Sequence, residues 1–240
     1  MSYRQFYDRY YERDRQSNPA QEAYDRLRIA AIAGILAEAT PPLLVIGSGR
    51  GRDYELAPPR WPIVAIDLSY SALRSAPRTK ATRVVADATN MPFRQGSFST
   101  VVCSEVLEHI PDVRAAIRET RRVVCEDGLL AVTVPNWTSW FGLSRLLGQL
   151  LTGRELHASG QPYDDWKSLS KMRRELSPEF RVVAVRGVWY LPPMHLRGRG
   201  LPNAFVEPLV RSFAPAEGIL ERLLPSFGHI LVLDCRPTQS

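Results

Sequence analysis

The chain has 240 residues, 45% of them hydrophobic and 23% charged, with 15 glycines, 19 prolines and a formal charge of +6. That balance describes a globular α/β chain and excludes a disordered one. No apolar run approaches the ~18 residues that a membrane-crossing helix needs.

The N-terminal MSYRQFYDRYYERDR is charged and aromatic, without the apolar stretch of a secretory signal. Tyr3, Phe6, Tyr7, Tyr10 and Tyr11 recur at helical spacing and predict an amphipathic helix. A second helix is predicted over 20–38, stopping before Pro41-Pro42, since the residue ahead of a proline is driven out of helical geometry. From there strands and helices alternate. Strands are expected at 43–47, 63–69, 82–87, 98–105 and 128–136, with helices near 52–56, 69–75 and 111–123. Val113, Ile117, Thr120 and Val124 would face inward from the last of these. Two further strands are expected at 180–190 and 229–237. Helical stretches are predicted over 139–152 and 202–224. Continuous apolar strands separated by helices imply a mostly parallel sheet of seven strands, doubly wound, with helices on both faces. Ligands bind such sheets outside the carboxyl ends of the strands.

The first strand opens into LLVIGSGRGRD, which places Gly47, Gly49 and Gly51 at that end. A dinucleotide loop reads G-x-G-x-x-G/A. Here Arg52 fills its third small position, so a nicotinamide cofactor is disfavoured. Asp67 ends the second strand, where a carboxylate can accept from both hydroxyls of a ribose. Asp87 ends the third, where an acid can accept from an exocyclic amine and Ala88 leaves room for a flat ring. Each acid alone reads as a turn or cap residue. Three successive strand ends aimed at one crevice read as a site.

These residues resemble a class I S-adenosylmethionine-dependent methyltransferase of the type 11 group. LLVIGSGRG, VAIDLS and VVADATNMPFRQGSFSTVVCSEVLEHIPD carry the resemblance, followed by RRVVCEDGLLAVTVPN, so that it covers roughly residues 40–136. It implies a Rossmann-like sheet whose last strand is antiparallel. It also implies S-adenosylmethionine as cofactor. Gly47, Gly49 and Gly51 would let the backbone approach the methionine and ribose portion. Asp67 would hold the ribose and Leu68 would pack beside the adenine. Asp87 and Ala88 would take the adenine edge, and Ser104 would lie near the sulfonium. The family has an acid two residues before the first glycine, where this chain has Val45.

A sulfonium methyl needs alignment more than activation, and a base is required only where the acceptor loses a proton. His109 is the candidate catalytic base, weighed against a residue that only orients its loop. Glu105, Glu108 and His109 form an E-x-x-E-H cluster that resembles divalent-metal sites of some O-methyltransferases, but no fourth ligand stands at a diagnostic spacing and no metal is expected. His157 and His195 are read as surface or packed histidines. Trp189, Tyr190 and the LPPMHL that follows suggest an apolar, aromatic-rimmed pocket. The expected organisation is one domain: an N-terminal helical lid (1–39), a cofactor-binding core (40–136), a variable acceptor-binding region (137–228) and a final strand and tail (229–240).

The acceptor is expected to be a small or lipid-like molecule, methylated at oxygen. The apolar stretch over 139–152 is read first as a core helix or pocket lid, with peripheral membrane contact as the other reading. An RNA acceptor is the second enzymatic reading. SEVL stands where base-amine methylases carry Asn/Asp-Pro-Pro-aromatic, and the modest basic charge reads as a solvated surface. A cofactor-binding protein without turnover is the remaining reading. Cys103, Cys125 and Cys235 are scattered and odd in number, as in a reduced, cytoplasmic protein.

Overall fold

The computed structural model describes residues 2–12, 19–58, 60–77, 81–153, 161–192, 195–196, 199–200 and 203–239. Its centre is the most apolar strand, β1 (Leu43–Ile46), whose four side chains are all buried. β1 runs parallel to β2 (Ile63–Asp67) on one side and to β4 (Phe98–Ser104) on the other, with Val45 opposite Ala65 and Val102. β3 (Thr82–Val85), β5 (Val124–Pro135), β6 (Phe180–Val188) and β9 (Ile230–Pro237) complete a seven-stranded sheet of order β3-β2-β1-β4-β5-β9-β6. β9 is antiparallel to both neighbours, β5 and β6. The doubly wound sheet with an antiparallel last strand is therefore as the sequence predicts. A separate two-stranded ribbon joins β7 (His195–Leu196) to β8 (Arg199–Gly200).

The helices are α1 (Tyr3–Glu12), α2 (Pro19–Leu36), α3 (Tyr70–Ser75), α4 (Val113–Val123), α5 (Trp140–Thr152), α6 (Leu169–Leu176) and α7 (Asn203–Leu223). Alternation along β1 divides the core into two layers. Leu43 and Val45 pack with Ala31, Ile32 and Ile35 of α2. Leu44 and Ile46 pack on the opposite face, in the layer that holds Ile117 of α4 and Met172 of α6. Each large apolar side chain buried this way contributes about 1.5–3 kcal/mol. Side-chain oxygens open the helices that leave the strand ends: Ser69 accepts from the Ala72 amide and Asp112 from the Ala115 amide.

Three expectations are corrected. Val124 does not close the inward stripe of α4 but starts β5, and Ala116 and Val123 are buried in the helix instead. The short helix α6 was not expected. The helix over 139–152 is not a core helix: among its residues only Gly142 is buried, while Leu143, Leu146, Leu147, Leu150 and Leu151 are exposed. Its rotation has a clear cause. Arg145, the one charged residue of α5, turns inward to Asp164 at 3.2 Å and stacks over the Trp166 ring at 4.8 Å. Gly142, three residues earlier, shares that inner face; a Cβ there would overlap the Trp137 carbonyl. The opposite, leucine-rich face is thereby turned to solvent.

Candidate active site

The strand order reverses between β1 and β4, and that switch point opens into two adjoining cavities. The first, of about 340 Å³, is lined by Gly47, Asp67, Leu68, Asp87, Ala88, Glu105 and His109 together with Tyr3, Tyr7 and Tyr11 of α1. The second, of about 580 Å³, shares Gly47, Glu105, His109 and Tyr11 and adds Gly49, Ser104, Arg28, Asp53, Glu108, Asp164, Trp166 and His229. α1 thus covers both chambers. It is tied down by Asp8, which accepts from the Ser69 hydroxyl at 2.8 Å and the Ser71 amide at 3.1 Å, and by Tyr7, which donates to Gln161 at 2.7 Å.

Asp67 organises the wall between strand and loop. Its Oδ2 accepts from the Gly49 amide and its Oδ1 from the Ser69 amide, both at 2.8 Å. Burial raises the Asp67 carboxyl above the ordinary carboxylate range, and those two amides pull it back. Each oxygen keeps a further lone pair for a ligand hydroxyl. Gly47 holds φ +64°, a left-handed backbone that glycine adopts freely, and a Cβ there would overlap the Val106 side chain.

At the junction of the chambers Glu105 holds φ +54°, a left-handed conformation that costs about 1–3 kcal/mol for a residue with a side chain. Its amide donates to the Thr133 carbonyl at 2.9 Å, and its carboxylate accepts from the Tyr24 hydroxyl. His109 lies beside it with Nδ1 3.1 Å from the Tyr163 carbonyl. A carbonyl only accepts, so Nδ1 carries the hydrogen and Nε2 keeps its lone pair. Burial lowers the His109 pKa from its ordinary 6.5, against the pull of Asp164 and Glu105, so the ring is neutral near pH 7. Glu108 Oε1 stands 3.8 Å from Nε2. Burial and the neighbouring Glu105 push the Glu108 carboxyl well up. Among the described residues no group of three or more His, Cys, Asp and Glu side chains is arranged to hold a metal ion.

Of the residues singled out in the sequence, Asp67, Leu68, Asp87 and Ala88 line the first chamber, Gly49 and Ser104 the second, and Gly47 and His109 both. Gly51 lines neither; it faces Tyr54 and Ala76 at the start of the turn over Arg52–Leu56. Asp87 caps its own turn, accepting from the Thr89 amide and hydroxyl at 2.8 Å. His157 lies outside the described residues. The Trp189 and Tyr190 side chains are buried, and their amides donate to Glu217. Arg28, Asp53, Asp164, Trp166 and His229 line the second chamber and were not singled out in the sequence. His229 precedes the antiparallel β9, so that its strand start meets the carboxyl end of β5, with Ile230 opposite Pro135. It stacks on Phe141 at 3.9 Å, and burial pushes its pKa down to about 3. His229 is consequently a wall of the chamber and a far weaker base than His109.

Residues 44–132 match the family described as a methyltransferase domain. An uncharacterized protein of Methanocaldococcus jannaschii is 24% identical over 195 residues, covering 80% of this chain and 76% of that one. A demethylmenaquinone methyltransferase of Corynebacterium urealyticum is 35% identical over 89 residues, 37% of this chain and 38% of that enzyme. Among solved structures, the magnesium protoporphyrin IX methyltransferase of Synechocystis, with bound S-adenosylhomocysteine, shares the fold. Its TM-score is 0.63 at 14% identity, over 98% of both chains.

Proposed function

We infer that the chain, whose residues 44–132 match a methyltransferase domain, is an S-adenosylmethionine-dependent methyltransferase that transfers a methyl group to the oxygen of a small, lipid-like acceptor, with His109 as general base. The observation that carries the base assignment is the 3.1 Å approach of His109 Nδ1 to the Tyr163 carbonyl, which assigns the proton to Nδ1 and leaves Nε2 as the acceptor nitrogen of a ring that lines both chambers. The site fits the cofactor on its own terms. A buried carboxylate at Asp67 ends one chamber, and in the other the Arg28 guanidinium is buried against Asp53 and Glu105.

When bound, S-adenosylmethionine supplies an electrophilic sulfonium methyl. Asp67 would take the ribose hydroxyls, and Asp87 with Ala88 the adenine edge. Trp166, His229 and Pro135 would hold the acceptor on the far side of His109. His109 Nε2 would take the acceptor's hydroxyl proton as the oxygen becomes the methyl acceptor. Because only the neutral ring accepts a proton, the rate falls as pH drops through the His109 pKa. That pKa lies below 6.5, so the acid limb of the kcat profile is expected below pH 6.5. A limb above that value would contradict the assignment.

The acceptor's character is argued from α5. Its outer stripe of Leu143, Leu146, Leu147, Leu150 and Leu151 carries no charge, and Leu150 and Leu151 are 75% and 77% exposed. A stripe of that kind suits the interface of a bilayer. No helix among the described residues is long and apolar enough to cross one. The reading is an enzyme of the cytoplasm that meets its acceptor at a membrane surface. The similarity to a demethylmenaquinone methyltransferase is consistent with an apolar acceptor. Vesicles of phosphatidylglycerol and phosphatidylethanolamine should co-sediment the protein, and Leu147→Glu with Leu150→Glu should abolish it. Equal sedimentation of the double variant would overturn the membrane role. Incubation with labelled S-adenosylmethionine and a lipid extract tests the function itself, with label expected in the organic phase.

A further inference from the structure

We propose that Trp166 and His229 form the wall that recognises the acceptor, and that this acceptor is a phenol carrying a second oxygen on its ring. The proposal rests on the methyltransferase reading of the site and names the substrate class for it. Both residues line the second chamber beside His109, Asp164 and Pro135. Their ring centroids stand 5.3 Å apart at 56°, so the two rings make a tilted corner and not a stack. The corner is braced by its neighbours. Trp166 Nε1 donates to Asp164 Oδ1 at 3.0 Å, and the Arg145 guanidinium, bonded to Asp164 Oδ2 at 3.2 Å, lies 4.8 Å over the Trp166 ring. His229 stacks on Phe141 at 3.9 Å, with the Tyr24 ring 6.0 Å away. A flat ring laid into such a corner meets other rings in the offset and edge-on geometries that aromatic pairs prefer. A puckered aliphatic ring does not.

Packing alone does not account for a histidine at this place. His229 Nδ1 is sealed from solvent and has no hydrogen-bond partner among the described residues. Such atoms are rare because each costs free energy, and a phenylalanine would stack on Phe141 without that cost. What the histidine adds is its other nitrogen. Burial pushes its pKa down to about 3, so the ring is neutral near pH 7 and carries one hydrogen. Buried N–H groups are left unpaired less often than lone pairs. The hydrogen therefore sits on Nε2, and the ring offers the chamber a donor that reads an oxygen. The base points the same way. An imidazole of ordinary pKa about 6.5 matches a phenol, at about 10, far better than an aliphatic hydroxyl, which lies near water at about 15.7. One ring oxygen faces His109 and gains the methyl, and the second accepts from His229 Nε2.

The test gives the full chain labelled S-adenosylmethionine and, separately, an octyl-substituted catechol, phenol or cyclohexanediol, which share one apolar tail. The catechol is expected to show a kcat/KM about threefold to tenfold above the phenol, the gain from one neutral hydrogen bond. The cyclohexanediol should fall about a hundredfold or more below the catechol. His229→Phe keeps the stack on Phe141 and should bring the catechol down to the phenol by raising its KM, with the phenol unchanged. His229→Gln keeps an N–H donor and should retain part of the preference. Trp166→Leu should raise KM for catechol and phenol alike and leave S-adenosylhomocysteine binding as it was. If His229→Phe does not fold by circular dichroism, the other two variants decide. A cyclohexanediol methylated as fast as the catechol overturns the proposal. So does a folded His229→Phe that keeps the catechol preference or loses both substrates equally, and so does a chain that binds S-adenosylhomocysteine and methylates none of the three. Failure of the unmodified chain to bind S-adenosylhomocysteine would instead remove the methyltransferase reading on which the proposal rests.

Discussion

Asp67→Ala is expected to weaken S-adenosylhomocysteine binding by about a hundredfold or more. The carboxylate serves as the brace of the glycine loop through the Gly49 amide and as the cap of the next turn through Ser69. Its remaining lone pairs would take the ribose hydroxyls. Charge-assisted hydrogen bonds contribute about 1.5–3 kcal/mol each, and about 1.4 kcal/mol is tenfold in affinity, so losing two of them gives the hundredfold figure. Asp67→Asn keeps one carbonyl oxygen and should fall between the two, near tenfold. Calorimetry with folded variants measures this directly. An affinity unchanged in Asp67→Ala would remove Asp67 from the site.

His109→Gln is expected to lower kcat by about 10²–10⁴-fold, the usual contribution of a positioned base, while S-adenosylhomocysteine still binds as tightly. Glutamine can keep a hydrogen bond to the Tyr163 carbonyl, so the loop stays in place and only the lone pair at Nε2 is lost. A residue that merely orients the loop would survive this change with little loss of rate. The split between rate and binding therefore separates the two roles. His229→Gln should cost far less, since a ring pushed down to about pKa 3 is a poor proton acceptor at neutral pH.

The parts of the molecule that were legible in the sequence are those with one physical solution. LLVI at 43–46 can only be a strand covered on both faces, and the alternation around it sets Asp67 and Asp87 at strand ends beside the crevice. The glycines were legible as a group but not individually. Gly47, Gly49 and Gly51 all take positive φ, yet Gly51 spends its freedom on the contact with Tyr54 and Ala76. Spacing cannot say which left-handed residue faces a ligand. Arg28 and Asp53 stand 25 residues apart and meet only because of how α2 is rotated on the sheet. Periodicity found the leucine stripe of α5 but not its direction, which the Arg145 contacts with Asp164 and Trp166 decide. His229 reaches the chamber only because β9 runs antiparallel, a feature that the apolar pattern of ILVLDC does not encode.

The strain at Glu105 belongs to the same account. A left-handed glutamate at the junction of two chambers is held there by Thr133 from β5 and by Tyr24 and Arg28 from α2. The sheet and the first long helix are thus joined at the point where the transferred methyl would pass.

The most direct test of the central claim follows the methyl group itself. The chain is incubated with S-adenosylmethionine labelled in its methyl carbon and, separately, with a lipid and quinone extract or with total RNA. The prediction is label in the organic phase of the first reaction, lost with His109→Gln and absent from the RNA. Label in the RNA alone, or none in either reaction from a chain that binds S-adenosylhomocysteine, would contradict methyl transfer to a small, lipid-like acceptor.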